Sequence, residues 1–187
     1  NEFGYMAVLN TSRRRLLSRH FAHGVTSNNH EAGPRRSRGS SGSPIEALDS
    51  NAIHLCNWNI QKGKRAGWQH DLARMAHDRD LILIQEASMH AELIDVARKA
   101  NYWSFAPGYQ NRKLQTGVMT LSSQRPIMHT SLVTWEPWLG TPKATNVTEF
   151  SMSGTDETLM VVNIHAVNFT LGLNLFVQQI QQVHDVL

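Results

Sequence analysis

Short aliphatic runs that end in polar residues constrain the fold of this chain more than any other feature. Leu81–Ile84 consists of four aliphatic residues followed by Gln85 and Glu86, and Thr158–Ile164 contains a continuous Leu-Met-Val-Val run. Runs of this length are too short for helices and are typical of buried strands. The chain is therefore expected to form buried strands whose ends carry polar groups.

Helical and extended segments are expected to alternate around these two strands. Apolar residues recur at helical spacing in Trp68–His77, and Ser88 is expected to be the N-cap of a helix that continues to Lys99. Further strands are expected at Ala52–Ile60, Tyr102–Phe105, Gly117–Leu121, Ile127–Val133 and Ala144–Ser151, with a last helix at Leu173–Leu187. Strand–helix–strand–helix followed by strands and a final helix predicts an α/β protein with a mixed sheet.

The first 45 residues differ from the rest in composition and charge. They hold seven arginines against Glu2 and Glu31, a balance of +5, and include a Gly- and Ser-rich stretch at 39–44. Residues 46–187 hold eleven Lys and Arg against thirteen Asp and Glu, a balance of −2. We therefore expect a basic, low-complexity, disordered tail over 1–45 and one folded domain over 46–187. Because the basicity belongs to the tail, it gives only weak support for nucleic-acid binding by the domain.

Composition excludes membrane-spanning and disulfide-stabilised classes. No apolar run approaches the ~18 residues that a transmembrane helix needs. Cys56 is the only cysteine in the chain, so no internal disulfide can form. Its apolar neighbours Leu55 and Trp58 indicate a small buried hydrophobe rather than a nucleophile. These features favour a cytoplasmic location and leave the oligomeric state open.

Polar clusters follow three of the expected strands: Asn57-Trp58-Asn59, Gln85-Glu86 and Asn163-Ile164-His165. Alternate residues of a strand share a face, so Asn57 and Asn59 are expected to point together, as are Asn163 and His165. In sheets covered by helices, ligands gather at the carboxyl ends of strands. A carboxylate, amides and an imidazole that meet there would suit a hard divalent cation beside a group that transfers protons or contacts phosphate.

Each cluster taken alone also has an ordinary structural interpretation. Glu86 could be a surface or capping acid, His165 a histidine satisfied by its neighbours, and Asn59 a turn residue at a strand end. Gly117 is expected to serve tight packing within its strand. The order and spacing of the clusters, rather than any single residue, favour the functional interpretation.

Four strings in this order, CNWNIQKGK, DLILIQEAS, TGVMTLSS and LMVVNIHAVNF, resemble signature blocks of the endonuclease/exonuclease/phosphatase superfamily. Within that superfamily the chain looks most like a bacterial subgroup with a GVMTLS block and a VVNIHAVNF block. The resemblance extends from roughly Ala52 to the end of the chain. It implies a DNase I-like α/β/β/α sandwich with mixed sheets and a phosphoester hydrolase that depends on Mg²⁺ or Mn²⁺.

The resemblance also implies roles for individual residues. Asn59 would help to hold the metal and the scissile phosphate, Glu86 would be the main metal ligand, and His165 would contact the phosphate or assist the leaving oxygen. Asn168 would touch the substrate. Arg112, in the YQNRK loop, is a further candidate for phosphate contact, although a solvated loop is the simpler interpretation. The expected reaction is attack of water on phosphorus, in line with the leaving oxygen.

Two motifs of the resembled superfamily do not occur in this sequence, a GDxN block and an SDH block. The resemblance therefore implies that only the N-terminal portion of the domain is present and that the chain by itself is inactive. Three functions stay open. The chain could belong to a nuclease-like phosphodiesterase with nucleic acid as partner, to a lipid or inositol phosphoester hydrolase of the same fold, or to a non-catalytic protein that binds partners through its Arg-rich tail.

Overall fold

The computed structural model describes the backbone of residues 5–11 and, with side chains, residues 46–136, 140–166 and 173–186. These residues form eight strands and three helices. The strands are β1 (Tyr5–Thr11), β2 (Leu55–Asn59), β3 (Leu81–Ser88), β4 (Tyr102–Gln110), β5 (Gln115–Ser122), β6 (Met128–Glu136), β7 (Thr141–Ser151) and β8 (Thr158–Ile164). The helices are α1 (Trp68–Asp78), α2 (Ala91–Ala97) and α3 (Asn174–Val186). The expected mixed α/β class is confirmed.

The strands form two four-stranded sheets. The first sheet has the order β2-β3-β5-β4, and the second has the order β1-β8-β7-β6. β2 and β3 are parallel, because α1 carries the chain back to the same end of the sheet. The other pairs in both sheets are antiparallel. The first sheet is therefore mixed, as the sequence predicted.

The side chains of β3 point alternately to the two faces of the first sheet and are buried on both. Ile82 and Ile84 point towards α1 and α2 and pack in their shared core. Leu81 and Leu83 point the other way and pack against Phe150 of β7 in the second sheet. All eight side chains of β3 are buried, which explains why Leu81–Ile84 is a continuous aliphatic run rather than an alternation of apolar and polar residues.

β8 has the same alternation in the second sheet. Leu159 and Val161 face the first sheet, whereas Val162 and Ile164 pack with Val183 of α3. The layers therefore follow the order α1 and α2, first sheet, second sheet, α3. Each fully buried aliphatic side chain contributes about 1.5–3 kcal/mol to this packing.

Element boundaries differ from the prediction mainly around β3 and α2. β3 continues to Ser88 rather than ending at Ile84, so Ser88 is buried in a strand. α2 begins at Ala91, and the residue before it, His90, makes no side-chain capping hydrogen bond. The prediction of Ser88 as an N-cap is wrong, because its backbone continues the pairing with β5.

Cys56 lies on the helix-facing side of β2 and packs against the core around α1 and α2. Its Sγ is 3.4 Å from Met75 Sδ. Burial raises the pKa of the Cys56 thiol above its usual value, which disfavours the thiolate. The residue is therefore a packing residue, as expected.

The boundary at residue 45 between tail and folded domain stays a prediction. Tyr5–Thr11, within the expected tail, is a strand that pairs with β8, and residues 12–45 lie outside the described ranges. Beyond the boundary, Leu48 already belongs to the core between the two sheets.

The described helices are short. In the ranges that the structure covers, no helix is both long and apolar enough to cross a bilayer, and the longest, α3, has 13 residues.

Candidate functional site

A cleft of about 290 Å³ lies between the two sheets. One wall comes from β3, β4 and β5 of the first sheet together with Lys62, and the opposite wall comes from β6 and β7. Its charged or imidazole-bearing lining residues are Lys62, Glu86, Glu136, Lys143 and His165. Since both sheets contribute lining residues, the cleft exists only because the sheets pack face to face.

The backbone beside the cleft adopts an uncommon conformation at three positions. In the described part of the chain, the non-glycine residues with positive φ are Gln61 (51°), Lys62 (60°) and Glu86 (49°). In β3 this coincides with a register shift between Ile84 and Ala87, a bulge that takes Glu86 out of the regular alternation. Such conformations cost roughly 1–3 kcal/mol each and cluster at functional sites.

Glu86 is 8% exposed and is held from two sides. Asn59 Nδ2 donates a hydrogen bond to Glu86 Oε1 at 3.1 Å, and Lys62 Nζ lies 3.9 Å from Glu86 Oε2. Asn59 Oδ1 accepts a hydrogen bond from the backbone N–H of Gln61 at 2.9 Å, which fixes the orientation of the amide. Asn59 therefore presents its NH₂ group, rather than its carbonyl oxygen, to Glu86.

The opposite side of the cleft is the β6–β7 wall, whose polar side chains are Glu136, Thr141 and Lys143. Thr141 Oγ1 donates a hydrogen bond to Glu136 Oε2, and Lys143 Nζ lies 3.7 Å from Glu136 Oε1. Glu136 is 1% exposed and Lys143 8% exposed. Burying a lone charge costs several kcal/mol, so each of these charges depends on the other.

His165 follows β8 and lines the cleft together with both walls. Its backbone carbonyl accepts a hydrogen bond from Gln179 Nε2 of α3 at 3.2 Å, which anchors the segment. Burial lowers the pKa of His165 to about 4, and the Lys143 ammonium acts in the same direction. The carboxylates of Glu86 and Glu136 raise this pKa but do not outweigh burial. The imidazole is therefore neutral near pH 7.

Three further polar residues form an amide cluster, Asn57, Gln85 and Asn163; Gln85 and Asn163 are buried, whereas Asn57 is exposed. Gln85 Nε2 donates hydrogen bonds to Asn57 Oδ1 and to Asn163 Oδ1, each at 2.7 Å. Asn163 Nδ2 donates to the backbone carbonyls of Ile84 at 3.3 Å and Met119 at 3.0 Å. The amide cluster thus ties β8 of the second sheet to the first sheet through neutral groups, and its role is structural.

The structure brings together the residues to which the sequence gave most weight. Glu86 and His165 line one cleft, and Asn59 is hydrogen-bonded to Glu86. Arg112 is exposed in the turn between β4 and β5 and is not among the residues that line the cleft. Asn168 lies outside the described residues.

Gly117 lies in β5 and lines the cleft. A Cβ atom at this position would lie 2.0 Å from the backbone oxygen of Ala106 and 2.9 Å from Phe105 Cζ. Both distances are shorter than any van der Waals contact. Gly117 is therefore required by the close approach of β4 and β5, in agreement with the packing role expected from the sequence.

Sequence reasoning missed Lys62, Glu136 and Lys143. Lys62 lies three residues after Asn59 in the same polar string, so its position was a usable signal. Glu136 and Lys143 come from segments at the junction of β6 and β7, where no local pattern distinguishes a buried charge from an exposed one. Only the packing of the sheets reveals them.

The groups around Glu86 suit a divalent cation that keeps most of its water ligands. They do not suit a cation whose ligands all come from the protein. Among the described residues, no three His, Cys, Asp or Glu side chains are grouped so as to hold a metal ion. Mg²⁺ commonly keeps several waters and binds through one or two carboxylates together with substrate phosphates. A single carboxylate that is fixed in a cleft, as Glu86 is by Asn59, meets that requirement.

Comparison with known proteins gives relatives that are named UPF0294 proteins. The chain is 33% identical over 150 residues to a UPF0294 protein of Vibrio parahaemolyticus, covering 78% of this chain and 52% of that protein. It is 38% identical over 146 residues to a UPF0294 protein of Klebsiella pneumoniae, covering 77% of this chain and 54% of that protein. The chain spans about half the length of the curated relatives it matches. No family model and no solved structure matches it.

These findings correct the superfamily assignment made from motifs. The relatives are named UPF0294 proteins, and no family model supports the endonuclease/exonuclease/phosphatase superfamily, so that assignment is wrong. The physical reason is that strings such as WN, QE and NxH record polar residues after buried strands, a pattern that many α/β proteins share. Roles for the site residues therefore have to be argued from the geometry alone.

Proposed function

We propose that the cleft is the site of a metal-dependent phosphoester hydrolase. The observation that carries this proposal is the convergence of a fixed carboxylate, Glu86, a neutral imidazole, His165, and the ammonium of Lys62 in one cleft. Carboxylates hold hard cations, and ammonium and imidazole groups donate to phosphoryl oxygens. The strained backbone at Lys62 and Glu86 supports a functional rather than a structural role for this wall.

In this proposal Glu86 holds the cation and Asn59 orients Glu86. A Mg²⁺ or Mn²⁺ ion bound there would polarise a phosphoryl oxygen and neutralise the charge that develops during attack by water. Asn59 acts through its hydrogen bond to Oε1, because its own carbonyl oxygen already accepts from Gln61. This assigns Asn59 a positioning role instead of the ligand role expected from the sequence.

In this proposal His165 and Lys62 contact the phosphoryl group of the substrate. A neutral imidazole with a pKa of about 4 is a weak base near pH 7, but its N–H can donate a hydrogen bond to an oxygen of the substrate. The Lys62 side chain is 43% exposed and can turn from Glu86 towards an incoming phosphate. Both residues thereby stabilise negative charge on the group that is attacked.

The layered architecture supports a more specific fold proposal. Two packed sheets, with α1 and α2 outside one and α3 outside the other, correspond to the order of layers in a DNase I-like α/β/β/α sandwich. We propose this arrangement for the domain as an architecture, separately from any family membership.

Cation binding by the 187-residue chain is the first test. We expect Mn²⁺ to bind at one site and to broaden proton signals of His165 in NMR spectra, and we expect Glu86→Gln to remove both effects. Glu92→Gln, at an exposed acid in the first turn of α2, is the matched control and should change neither. Mn²⁺ binding that is equally strong without the Glu86 carboxylate would contradict the proposal.

Hydrolysis is the second test. Because the chain spans about half the length of its curated relatives, activity is to be measured with the chain and with a full-length relative. We expect the full-length protein to release p-nitrophenol from p-nitrophenyl phosphate or its diester in the presence of Mg²⁺ or Mn²⁺. A folded full-length relative that binds the cation but cleaves neither compound would refute the hydrolase proposal.

A further inference from the structure

The cleft contains two Lys–Glu pairs, one on each wall. Lys62 and Glu86 are 3.9 Å apart on the β3 side, and Lys143 and Glu136 are 3.7 Å apart on the β6–β7 wall. His165 lines the same cleft and is close enough to all four groups for each to affect its protonation. One ligand in the cleft can therefore meet both pairs.

The two Lys–Glu pairs make the described lining of the cleft electrically neutral. Two ammonium groups balance two carboxylates, the His165 imidazole is uncharged near pH 7, and the other lining residues carry no charge. Binding of one divalent cation at Glu86 would leave an excess of two positive charges. A ligand with two negative charges restores neutrality, whereas a ligand with one negative charge does not.

Lys143 is placed to contact such a ligand. Its Nζ is 3.7 Å from Glu136 Oε1, which is longer than a charge-assisted hydrogen bond of about 2.7–2.9 Å. Glu136 is meanwhile fixed by the hydroxyl of Thr141. The carboxylate thus acts as a stationary counter-ion that keeps a buried ammonium charged, and the ammonium retains donors for an anion in the cleft.

We propose that the cleft binds a phosphoryl dianion, the terminal group of a phosphomonoester, and that Lys143 contacts it from the wall opposite Glu86. This inference rests on the proposed function and specifies its substrate class. A phosphomonoester carries close to two charges above its second pKa of about 6, whereas a phosphodiester carries only one. Among the phosphoester substrates that the sequence left open, the inference therefore favours a phosphomonoester over the phosphodiester of a nuclease.

The inference can be tested by binding, without turnover. The 187-residue chain, saturated with Mg²⁺ at pH 8.5, is titrated calorimetrically with phenylphosphonate, a dianion, and with its monomethyl ester, a monoanion of nearly the same shape. We expect phenylphosphonate to bind about tenfold more tightly, the ratio that one charge-assisted contact supplies. Lys143→Met should remove most of that ratio, and Lys143→Arg should keep it. Lys113→Met, at an exposed lysine in the turn between β4 and β5, is the matched control and should leave it unchanged.

Equal affinities for the two phosphonates in the wild-type chain would overturn the inference, and this result needs no variant. Full retention of the ratio in a folded Lys143→Met protein would overturn the role of Lys143. Failure of the proposed function has a different signature, namely Mg²⁺ binding that is absent or independent of Glu86. If Mg²⁺ binding requires Glu86 but the phosphonates bind equally, only the substrate class is wrong.

Discussion

The amide cluster and the cleft are both polar and both lie between the two sheets, yet they are built differently. In the amide cluster, neutral side chains meet at 2.7 Å, and Asn163 is fully buried. In the cleft, charged side chains approach each other only to 3.7 and 3.9 Å. The non-glycine residues with positive φ that the structure describes all lie on the cleft side, in the turn after β2 and in the bulge of β3.

The difference shows how one interface can serve both folding and binding. Short hydrogen bonds between neutral amides fix the register of the sheets, because any shift would leave buried polar groups without partners. Loosely paired charges contribute less to register but keep donors and acceptors for a ligand. We therefore expect substitutions in the amide cluster to change stability, and substitutions in the cleft to change cation and anion binding.

The largest effect is expected from Asn163→Ala in the amide cluster. It removes hydrogen bonds to Gln85 and to two backbone carbonyls and leaves those groups buried. We expect the free energy of unfolding in urea to fall by about 3 kcal/mol. Asn101→Ala, which removes an exposed hydrogen bond to Ser123, should cost less than about 1 kcal/mol. Equal losses of unfolding free energy in the two variants would contradict the structural role of the amide cluster.

The next effect concerns the pH dependence of stability. The pKa of His165 is lowered from 6.5 to about 4, so the unfolded chain takes up a proton in this range before the folded protein does. Stability is therefore expected to fall as the pH decreases from about 6.5 to 4, by up to about 3 kcal/mol. His165→Asn should flatten this part of the stability profile, whereas His77→Asn, at an exposed histidine of α1, should not. An unchanged profile in His165→Asn would show that another group causes the loss.

Glu86→Gln tests whether a substitution in the cleft changes cation binding rather than stability. The variant keeps the shape and the hydrogen bond from Asn59 but removes the charge. We expect the Mn²⁺ affinity measured by calorimetry to fall about 100-fold, close to 2.7 kcal/mol, with a stability change below ~1 kcal/mol. A large loss of stability without a change in Mn²⁺ affinity would make Glu86 a structural residue like Asn163.

The smallest effect should have the opposite sign. Lys62 Nζ lies 3.9 Å from Glu86 Oε2, so it competes with a cation for the carboxylate. Lys62→Gln removes this competition, which is worth about 1 kcal/mol in a water-like dielectric, and should tighten Mn²⁺ binding about fivefold. The matched control is Lys64→Gln, at an exposed lysine of the same loop. Weaker Mn²⁺ binding in Lys62→Gln would indicate that the side chain helps to hold the cation site instead.

Much of the fold could be predicted, because strand and helix patterns are local. β8 was predicted with the bounds Thr158–Ile164 that the structure has, and α1 differs by one residue at its end. The error at Ser88 arose because pairing with β5 continued the strand, and pairing is a long-range property. Boundaries that depend on a distant partner cannot be read from the segment itself.

The candidate site was predictable only in part. Glu86 and His165 come directly after or within aliphatic runs, and that local pattern singled both out in the sequence. The structure has both residues in the lining of one cleft. The β6–β7 wall carried no such signal, because the burial of Glu136 and Lys143 depends on the sheet that covers them. Arg112 was proposed from its charge alone, but it lies at a turn that does not line the cleft.

The sequence by itself determined the alternation of strands and helices and the polar residues that follow the strands, because both depend on near neighbours in the chain. The tertiary structure decided which polar residues became a neutral amide cluster and which became a charged cleft. It did so through a bulge in β3 that redirected Glu86, and through the facing of β7 and β8 towards the first sheet. Burial, pairing and the low pKa of His165 all follow from that packing, because desolvation depends on what surrounds a group in space.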